Sequence, residues 1–424
     1  MAADPEQVWT RNFRVLVIHQ VANRTGWIFK TETVVIPAVL DLLSGSAWIR
    51  GWLPLLNRFG HTIPPLLLAR SVTAAPLKKQ VLFSTTAMYA VLMFCLAVLF
   101  LRPAHAGSLW MPLCFLTIYT VFSIGVGLNS VVFNTLQGKL VATTRRGRLL
   151  LVSNLLGSVL AIACAWVLLP PWLSAKPPRF DLVFGFTGLM FALSAVVTWA
   201  LVEVPDHYAR TRTLLRDYFS DAWSTFRDDR QFRQLALVGA AFGMSLNIFP
   251  HYQNLGLKGL GLPLSSLMWW VVVQNIGTGL FSIPAGWIAD RSGNRRVLQF
   301  SLLGVAGAPL TAVVLSFLGA DGWYGLVFLL LGVHPVTLRT LQNFTLEIAA
   351  AADHPRYLST LSLWMGVPLL LSPLVGLGVD LLGFSAVFLL MAAVVLAGWA
   401  LTFWMREPRD HIAIQVLETS QPGD

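Results

Sequence analysis

The sequence predicts an all-α membrane protein of about twelve spanning helices, built as two related six-helix halves. Three observations predict it. Of 424 residues, 56% are hydrophobic and only 12% are charged, with a mean hydropathy of +0.67. A soluble domain is about one quarter charged, so a chain this long and apolar cannot cover itself with a watery surface. Apolar runs of the roughly 20 residues needed to cross hydrocarbon recur along the whole chain. Short stretches of the second half also repeat stretches of the first, in the same order.

Spans are expected near 14–42, 46–70, 80–102, 110–138, 149–172, 181–203, 234–256, 265–289, 297–318, 323–348, 357–380 and 382–405. The first, fourth and tenth are long and polar for membrane helices. The opening segment 1–13 is polar, and no compact apolar core with a small-residue cleavage site follows it, so the first span is expected to stay uncleaved. The expected organisation is a terminal segment 1–13, a six-helix bundle 14–203, a connection 204–233, a second bundle 234–405 and a tail 406–424.

An even number of spans places both termini on one side. Assigning loops alternately gives about 21 basic residues to the terminal side, about 5 to the other and about 4 to the spans, which makes the terminal side cytoplasmic. The formal net charge of +10 is thereby explained without nucleic acid. The expected location is the plasma (inner) membrane, crossed many times. Cys95, Cys114 and Cys164 lie inside apolar runs without CxxC or Cys/His spacing, so neither a disulfide framework nor a metal site is expected. In the connection, Leu214, Leu215, Tyr218, Phe219 and Trp223 fall near helical spacing among Arg216, Asp217, Asp221, Arg227 and Asp228. A linker or a surface-lying amphipathic helix would both produce that pattern.

The internal repeat is clearest in two polar stretches. GLNSVVFNTLQ at 127–137 recurs as GVHPVTLRTLQ at 332–342, sharing Gly127/Gly332, Val131/Val336, Thr135/Thr340, Leu136/Leu341 and Gln137/Gln342. NRFGH at 57–61 pairs with QNIGT at 274–278 around Gly60 and Gly277, and NFR at 12–14 with QFR at 231–233. Lys78 and Lys79 then fall on Arg295 and Arg296. Six spans, a basic connection and six more form two parallel repeats.

Residues 286–296, GWIADRSGNRR, carry Gly286, Asp290, Arg291, Gly293, Arg295 and Arg296 in the pattern G-x-x-x-D-R-x-G-x-[RK]-[RK]. This loop resembles the one found in the major facilitator superfamily. The resemblance implies a transporter that alternates between two conformations, with this loop clamping one of them. Glycines at 286 and 293 suit close approach and a tight turn, and Asp290 can accept bonds from arginines or a helix N-terminus. The corresponding stretch of the first half, PLLLARSVTAAPLKK, has Thr73 opposite Asp290 and Pro76 opposite Gly293. By this alignment the first half lacks the acidic clamp.

A charge at mid-membrane costs roughly 3 kcal/mol on insertion scales, so polar groups inside spans are expected to face protein or a wet cavity. In the first span Gln20, Arg24 and Thr31 are spaced to share a stripe, with Asn23 and Lys30 beside it and Glu32 on its flank. The second contributes Asn57, Arg58 and His61; the fourth Asn129, Asn134 and Gln137; the eighth Gln274 and Asn275; the tenth His334, Arg339, Gln342 and Asn343, with Glu347 on the same arc. In the family the first, fourth, seventh and tenth spans line the solute path, and these residues are the candidate lining. Each can instead pair within its bundle and hold helices together.

Glu32 and Glu347 are the candidate proton carriers, since a carboxyl beside a movable arginine can load and release a proton. Glu347→Gln is expected to abolish gradient-driven accumulation while sparing exchange. Basic groups outnumber acidic ones in this set, which favours a small anionic or zwitterionic solute. No phosphate loop GxxxxGK[ST], HExxH or GxSxG occurs, and no cofactor, catalytic residue or metal is expected. The remaining readings are an intramembrane lipid-modifying enzyme using His61, His334 and Glu347, or a transport-incompetent sensor or assembly partner on the same fold. The expected state is a monomer in a lipid bilayer.

Overall fold

The computed structural model describes residues 5–73, 75–101, 110–141, 143–205, 215–350 and 353–407. The middle of the expected connection and nearly all of the tail lie outside them. Sixteen α-helices are described: α1 Pro5–Phe29, α2 Val35–Leu43, α3 Ala47–Thr73, α4 Lys78–Leu99, α5 Trp110–Leu140, α6 Thr143–Ser174, α7 Phe180–Val197, α8 Leu215–Asp228, α9 Arg230–Ser245, α10 Phe249–Asn254, α11 Ser266–Ser292, α12 Asn294–Leu318, α13 Gly325–Leu331, α14 His334–Ile348, α15 His354–Gly366 and α16 Ser372–Leu401. The described residues contain no strand.

Nine stretches among them are long and apolar enough to cross a membrane. The last, Arg356–Trp404, has 49 residues, about twice what the hydrocarbon core needs. Its continuity is broken at Gly383, whose φ of 80° leaves the helical region. The expected first and second spans are not among the nine; α1 and α3 carry arginines that lower their hydropathy. Many side chains that point away from the core are large and apolar, such as Leu151, Leu155 and Val167 on α6, a surface suited to lipid rather than water.

The chain forms two compact units, Met1–Arg212 with Pro263–Met268, and Thr213–Leu262 with Trp269–Asp424. In the first, α1 packs on α6 and α7, α3 on α5, and α4 on both α5 and α7. Leu16, Leu82, Val132, Leu136 and Leu149 form its buried cluster. In the second, α9 packs on α15 and α16, and α12 on α13, α14 and α16, around Leu235, Phe242, Leu302, Val305 and Phe344.

The repeat seen in the sequence has a packing counterpart inside each unit. In the first, a Cβ on Gly60 would lie 2.5 Å from the Ser123 carbonyl carbon, and one on Gly127 would lie 2.6 Å from the Gly60 carbonyl oxygen. In the second, a Cβ on Gly277 would collide with the Leu329 carbonyl oxygen, and one on Gly332 would lie 2.6 Å from that of Gln274. Each unit therefore has a backbone-to-backbone helix crossing made by a pair of glycines. The four residues matched in sequence make the same crossing twice.

Three spans are interrupted, the first, the seventh and the tenth. The expected span 14–42 is α1 and α2 with residues 30–34 non-helical between them. Pro37 cannot donate to the carbonyl of Thr33 and its ring crowds that carbonyl, while Thr31, Thr33, Val34 and Val35 add stiff β-branched side chains. Thr31 closes the break: its carbonyl accepts from Val35 and Ile36 N–H at 3.0 Å each. A 3-10 turn at Leu246–Ile248 precedes Pro250, and the break between α13 and α14 precedes Pro335. The first break corrects one expectation. Helical spacing ends at Phe29, so Lys30, Thr31 and Glu32 do not continue the stripe of Gln20 and Arg24. The helix α1 begins at Pro5, within the segment 1–13 expected to precede the first span.

Candidate functional site

The non-helical residues 30–34 place a charged pair inside the first unit. Lys30 follows the last turn of α1 and its side chain is 0% exposed, whereas Glu32 remains 30% exposed. Lys30 Nζ donates to Glu32 Oε1 at 2.7 Å and lies 3.3 Å from the centroid of Trp27 and 4.5 Å from that of Phe122. Two aromatic faces and one carboxylate thus replace the hydration shell of the ammonium. Glu32 Oε2 accepts from Asn57 Nδ2 at 2.7 Å, and the same amide nitrogen lies 3.2 Å from Tyr119 Oη. His61, one turn along α3, donates from Nδ1 to the Asn57 carbonyl at 2.8 Å, so its Nε2 is the acceptor in the neutral ring.

The cluster draws on α1, the break, α3 and α5. Of its members, Lys30, Glu32, Asn57 and His61 are expected from the sequence. Trp27, Phe122 and Tyr119 are not. Trp27 stands three residues before Lys30, and the turn that ends α1 brings the two together, with the Lys30 N–H donating to the Trp27 carbonyl at 3.2 Å. Phe122 and Tyr119 arrive only through the α3–α5 crossing.

Other candidates are used elsewhere. Arg24 donates from Nε to Ser158 Oγ and from Nη1 to Asn154 Oδ1, both at 3.0 Å, joining α1 to α6. Asn129 is buried and donates to Thr85 and Thr86 Oγ1 at 2.9 and 2.8 Å, joining α5 to α4. Gln137 is buried, Gln20, Asn23, Thr31 and Arg58 are half-buried, and Asn134 is exposed. In the second unit Arg339, Gln342 and Asn343 are exposed on α14, and Gln274 and Asn275 are half-buried on α11. His334 is buried between the rings of Phe242 and Phe249, with Nε2 3.2 Å from Ser245 Oγ. Beside it, buried Asn247 donates to the Pro368 carbonyl at 3.1 Å. Glu347 sits near the end of α14, where Oε1 accepts from Asn294 at 3.0 Å. That contact ties it to the 286–296 turn.

That turn has a different acidic partner from the expected one. Gly293 adopts φ 80°, ψ 170° and starts α12. Glu407, after α16, accepts from the Arg295 N–H at 2.9 Å, while Arg295 Nη1 donates to the Met405 carbonyl at 2.9 Å. Asp290 is exposed at the C-terminal end of α11, where the helix dipole does not favour a carboxylate. Arg291 lies over the Trp287 ring, 4.1 Å from its centroid, and Arg296 donates to Ser292 Oγ at 3.1 Å. Gly286, earlier on α11, is exposed.

The first half does have an acidic clamp, contrary to the expectation from Thr73. It is Glu203, whose side chain is 0% exposed and which accepts from the Lys78 and Lys79 N–H groups at 3.1 and 2.8 Å and from Lys139 Nζ at 3.0 Å. Lys79 Nζ also donates to the Leu201 carbonyl at 2.9 Å, as Arg295 does to Met405. In each half, then, the carboxylate caps the N-terminus of the third span, α4 or α12, from just beyond the sixth. The sequence signal lay in VEVP at 202–205 and REP at 406–408, a glutamate one or two residues before a proline at the end of each half. A side chain at Gly293 would strike the Glu407 carboxylate, and φ near 80° is strained for it. Gly293→Ala is therefore expected to cost about 2 kcal/mol, read as a lowered thermal midpoint of the purified protein.

A family model described as Major Facilitator Superfamily matches residues 66–334 and 255–419. No curated protein matches in sequence. Among solved structures, a POT family transporter in complex with 5-aminolevulinic acid superposes with a TM-score of 0.70 at 11% identity, over 94% of this chain and 96% of that one. The nucleoside transporter NupG superposes with a TM-score of 0.67 at 14% identity, over 94% and 98%. The fucose:proton symporter FucP of E. coli does so with 0.55 at 13% identity, over 94% and 99%. At these identities the likeness is one of fold. The family-model match, spanning most of the sequence, carries the assignment: this chain belongs to the Major Facilitator Superfamily.

Proposed function

We propose that the chain is a secondary transporter that moves a small anionic or zwitterionic solute across the plasma (inner) membrane, coupled to protons, by alternating access of its two halves. The observation that carries this reading is the Lys30–Glu32 pair in the interrupted first span. Interrupted helices are where transporters of several folds hold solute and coupling ion. Lys30 is enclosed and has one carboxylate partner, which is itself partly exposed. A solute carboxylate that takes the place of Glu32 on Lys30 frees Glu32 to accept a proton, and that exchange links the two movements. The solutes named for the similar structures include 5-aminolevulinic acid, which carries a carboxyl and an amino group, and fucose with a proton.

In this reading both termini face the cytoplasm, the protein works as a monomer, and no catalytic chemistry is needed. The test is flux. Purified protein is first screened by thermal shift against carboxylate and amino-acid metabolites, and the stabilising compounds are then offered to proteoliposomes. Uptake driven by an inward proton gradient, and lost on adding a protonophore, is the expected result. Stabilisation without flux under any gradient would replace the reading with that of a sensor.

A further inference from the structure

The helix α8, which ends the connection between the halves, has three chemically distinct faces. Ala222 and Thr225 are 2% and 3% exposed and turn into the second unit. With them, Phe226 stacks on Trp364 of α15 at 3.9 Å between centroids. Arg356 donates to Ser224 Oγ at 2.9 Å and Tyr357 to Asp229 Oδ2 at 3.0 Å, so the helix is pinned from α15. A second face carries exposed Asp221 and Asp228. The third carries Arg216, Phe219, Trp223 and Arg227, spaced three and four residues apart and so aligned in one stripe. Along that stripe Phe219 is 44% exposed, Trp223 59% and Arg227 77%.

We propose that this stripe anchors α8 in the lipid headgroup layer of the leaflet where α9 enters the membrane, and that it prefers anionic lipid. Asp229 adopts an extended conformation, φ −98° and ψ 106°, and caps α9 by accepting from the Phe232 N–H. The joint stops α8 from continuing along α9, whose span runs from Arg230 to Gly259. The helix therefore lies at the level of a span end, where tryptophan is favoured because its ring is apolar and its edge polar. Trp223 also stacks on Phe226, 5.9 Å between centroids, so an aromatic ladder leads from α8 through Phe226 to Trp364 on the spanning helix. Charge segregation gives the stripe its occupant. Arginines end it and the exposed aspartates lie on another face; Arg227 Nε lies 4.0 Å from Asp228 Oδ1, but both side chains are open to solvent and such a pair is weak, so anionic headgroups compete for Arg227 and meet Arg216 while the carboxylates stay in water.

The test uses the full chain with Cys95, Cys114 and Cys164 replaced by serine. A nitroxide is attached at Trp223→Cys, at Asp221→Cys, or at Ser220→Cys, which adjoins the stripe and keeps both aromatic residues. In vesicles of phosphatidylcholine with phosphatidylglycerol, the label at 223 is expected to collide severalfold more with oxygen than with a water-soluble nickel reagent. The label at 221 is expected to do the reverse, with 220 nearer to 223. Omitting phosphatidylglycerol, or making Arg216→Gln with Arg227→Gln, is expected to reduce the bedded population about fivefold per arginine. Equal nickel accessibility at 223, 220 and 221 would overturn the anchor, and indifference to phosphatidylglycerol would overturn its lipid preference.

Discussion

Glu32→Gln is expected to abolish proton-driven uptake and to destabilise the first unit by about 3 kcal/mol, the scale of losing one partner of a buried ion pair. The change is nearly isosteric and Asn57 keeps an acceptor, so the loss falls on Lys30. Its ammonium, fully enclosed, would keep only the rings of Trp27 and Phe122. Thermal unfolding of the purified variant reads the first effect and proteoliposome flux the second. The two separate in the double variant Lys30→Met/Glu32→Gln. Removing both charges is expected to restore most of the stability, because neither is left buried alone, and to leave uptake absent. A double variant that transports at the wild-type rate would reduce the pair to a structural brace. Gradient-driven uptake by Glu32→Gln alone would remove Glu32 from coupling.

Gly332→Val, and Gly127→Val in the other half, are expected to bring the largest losses of folded protein. At both positions the neighbouring atoms belong to backbone or to a proline ring: Pro65 and the Gly60 carbonyl around Gly127, Gln274 and Thr278 around Gly332. Backbone in the interior of a helix cannot turn aside as a flexible side chain can. The helices must separate, and overpacking of this kind costs about 3 kcal/mol. Fluorescence-detected size-exclusion of the solubilised variants after heating would show the shift. Gly138→Val is the control, since nothing lies within 4 Å of a Cβ there. Equal behaviour of the control and either crossing variant would mean that the crossings tolerate separation.

The residues of these two predictions differ in how far the sequence disclosed them. Gly60, Gly127, Gly277 and Gly332 were visible as a repeat, because duplication leaves matched identities at matched intervals. What they do was not visible, since a helix crossing joins residues more than fifty apart. Lys30 and Glu32 were visible as charges in an apolar run, but their assignment to a continuous stripe was wrong. Periodicity assumes a helix, and Pro37 with its β-branched neighbours ends it. Proline alone would not have told: α3 carries Pro54, Pro64 and Pro65 without interruption, so whether a proline breaks a span depends on what its neighbours pack against.

The acidic clamps show the same division. GWIADRSGNRR announced a charged turn by its glycines and arginines, and that turn exists. The carboxylate that closes it is Glu407, more than a hundred residues away, and the matching Glu203 serves a half in which the motif had faded. By itself the sequence determined the membrane class, the helical content and the two-fold plan. Each follows from composition or from local order, and both are summed along the chain. Which carboxylate meets which cation, and which polar residue is spent holding α1 to α6 or α5 to α4, was decided only by tertiary structure. Those bonds depend on distance in space, and a linear order of residues constrains that distance only after the helices have packed.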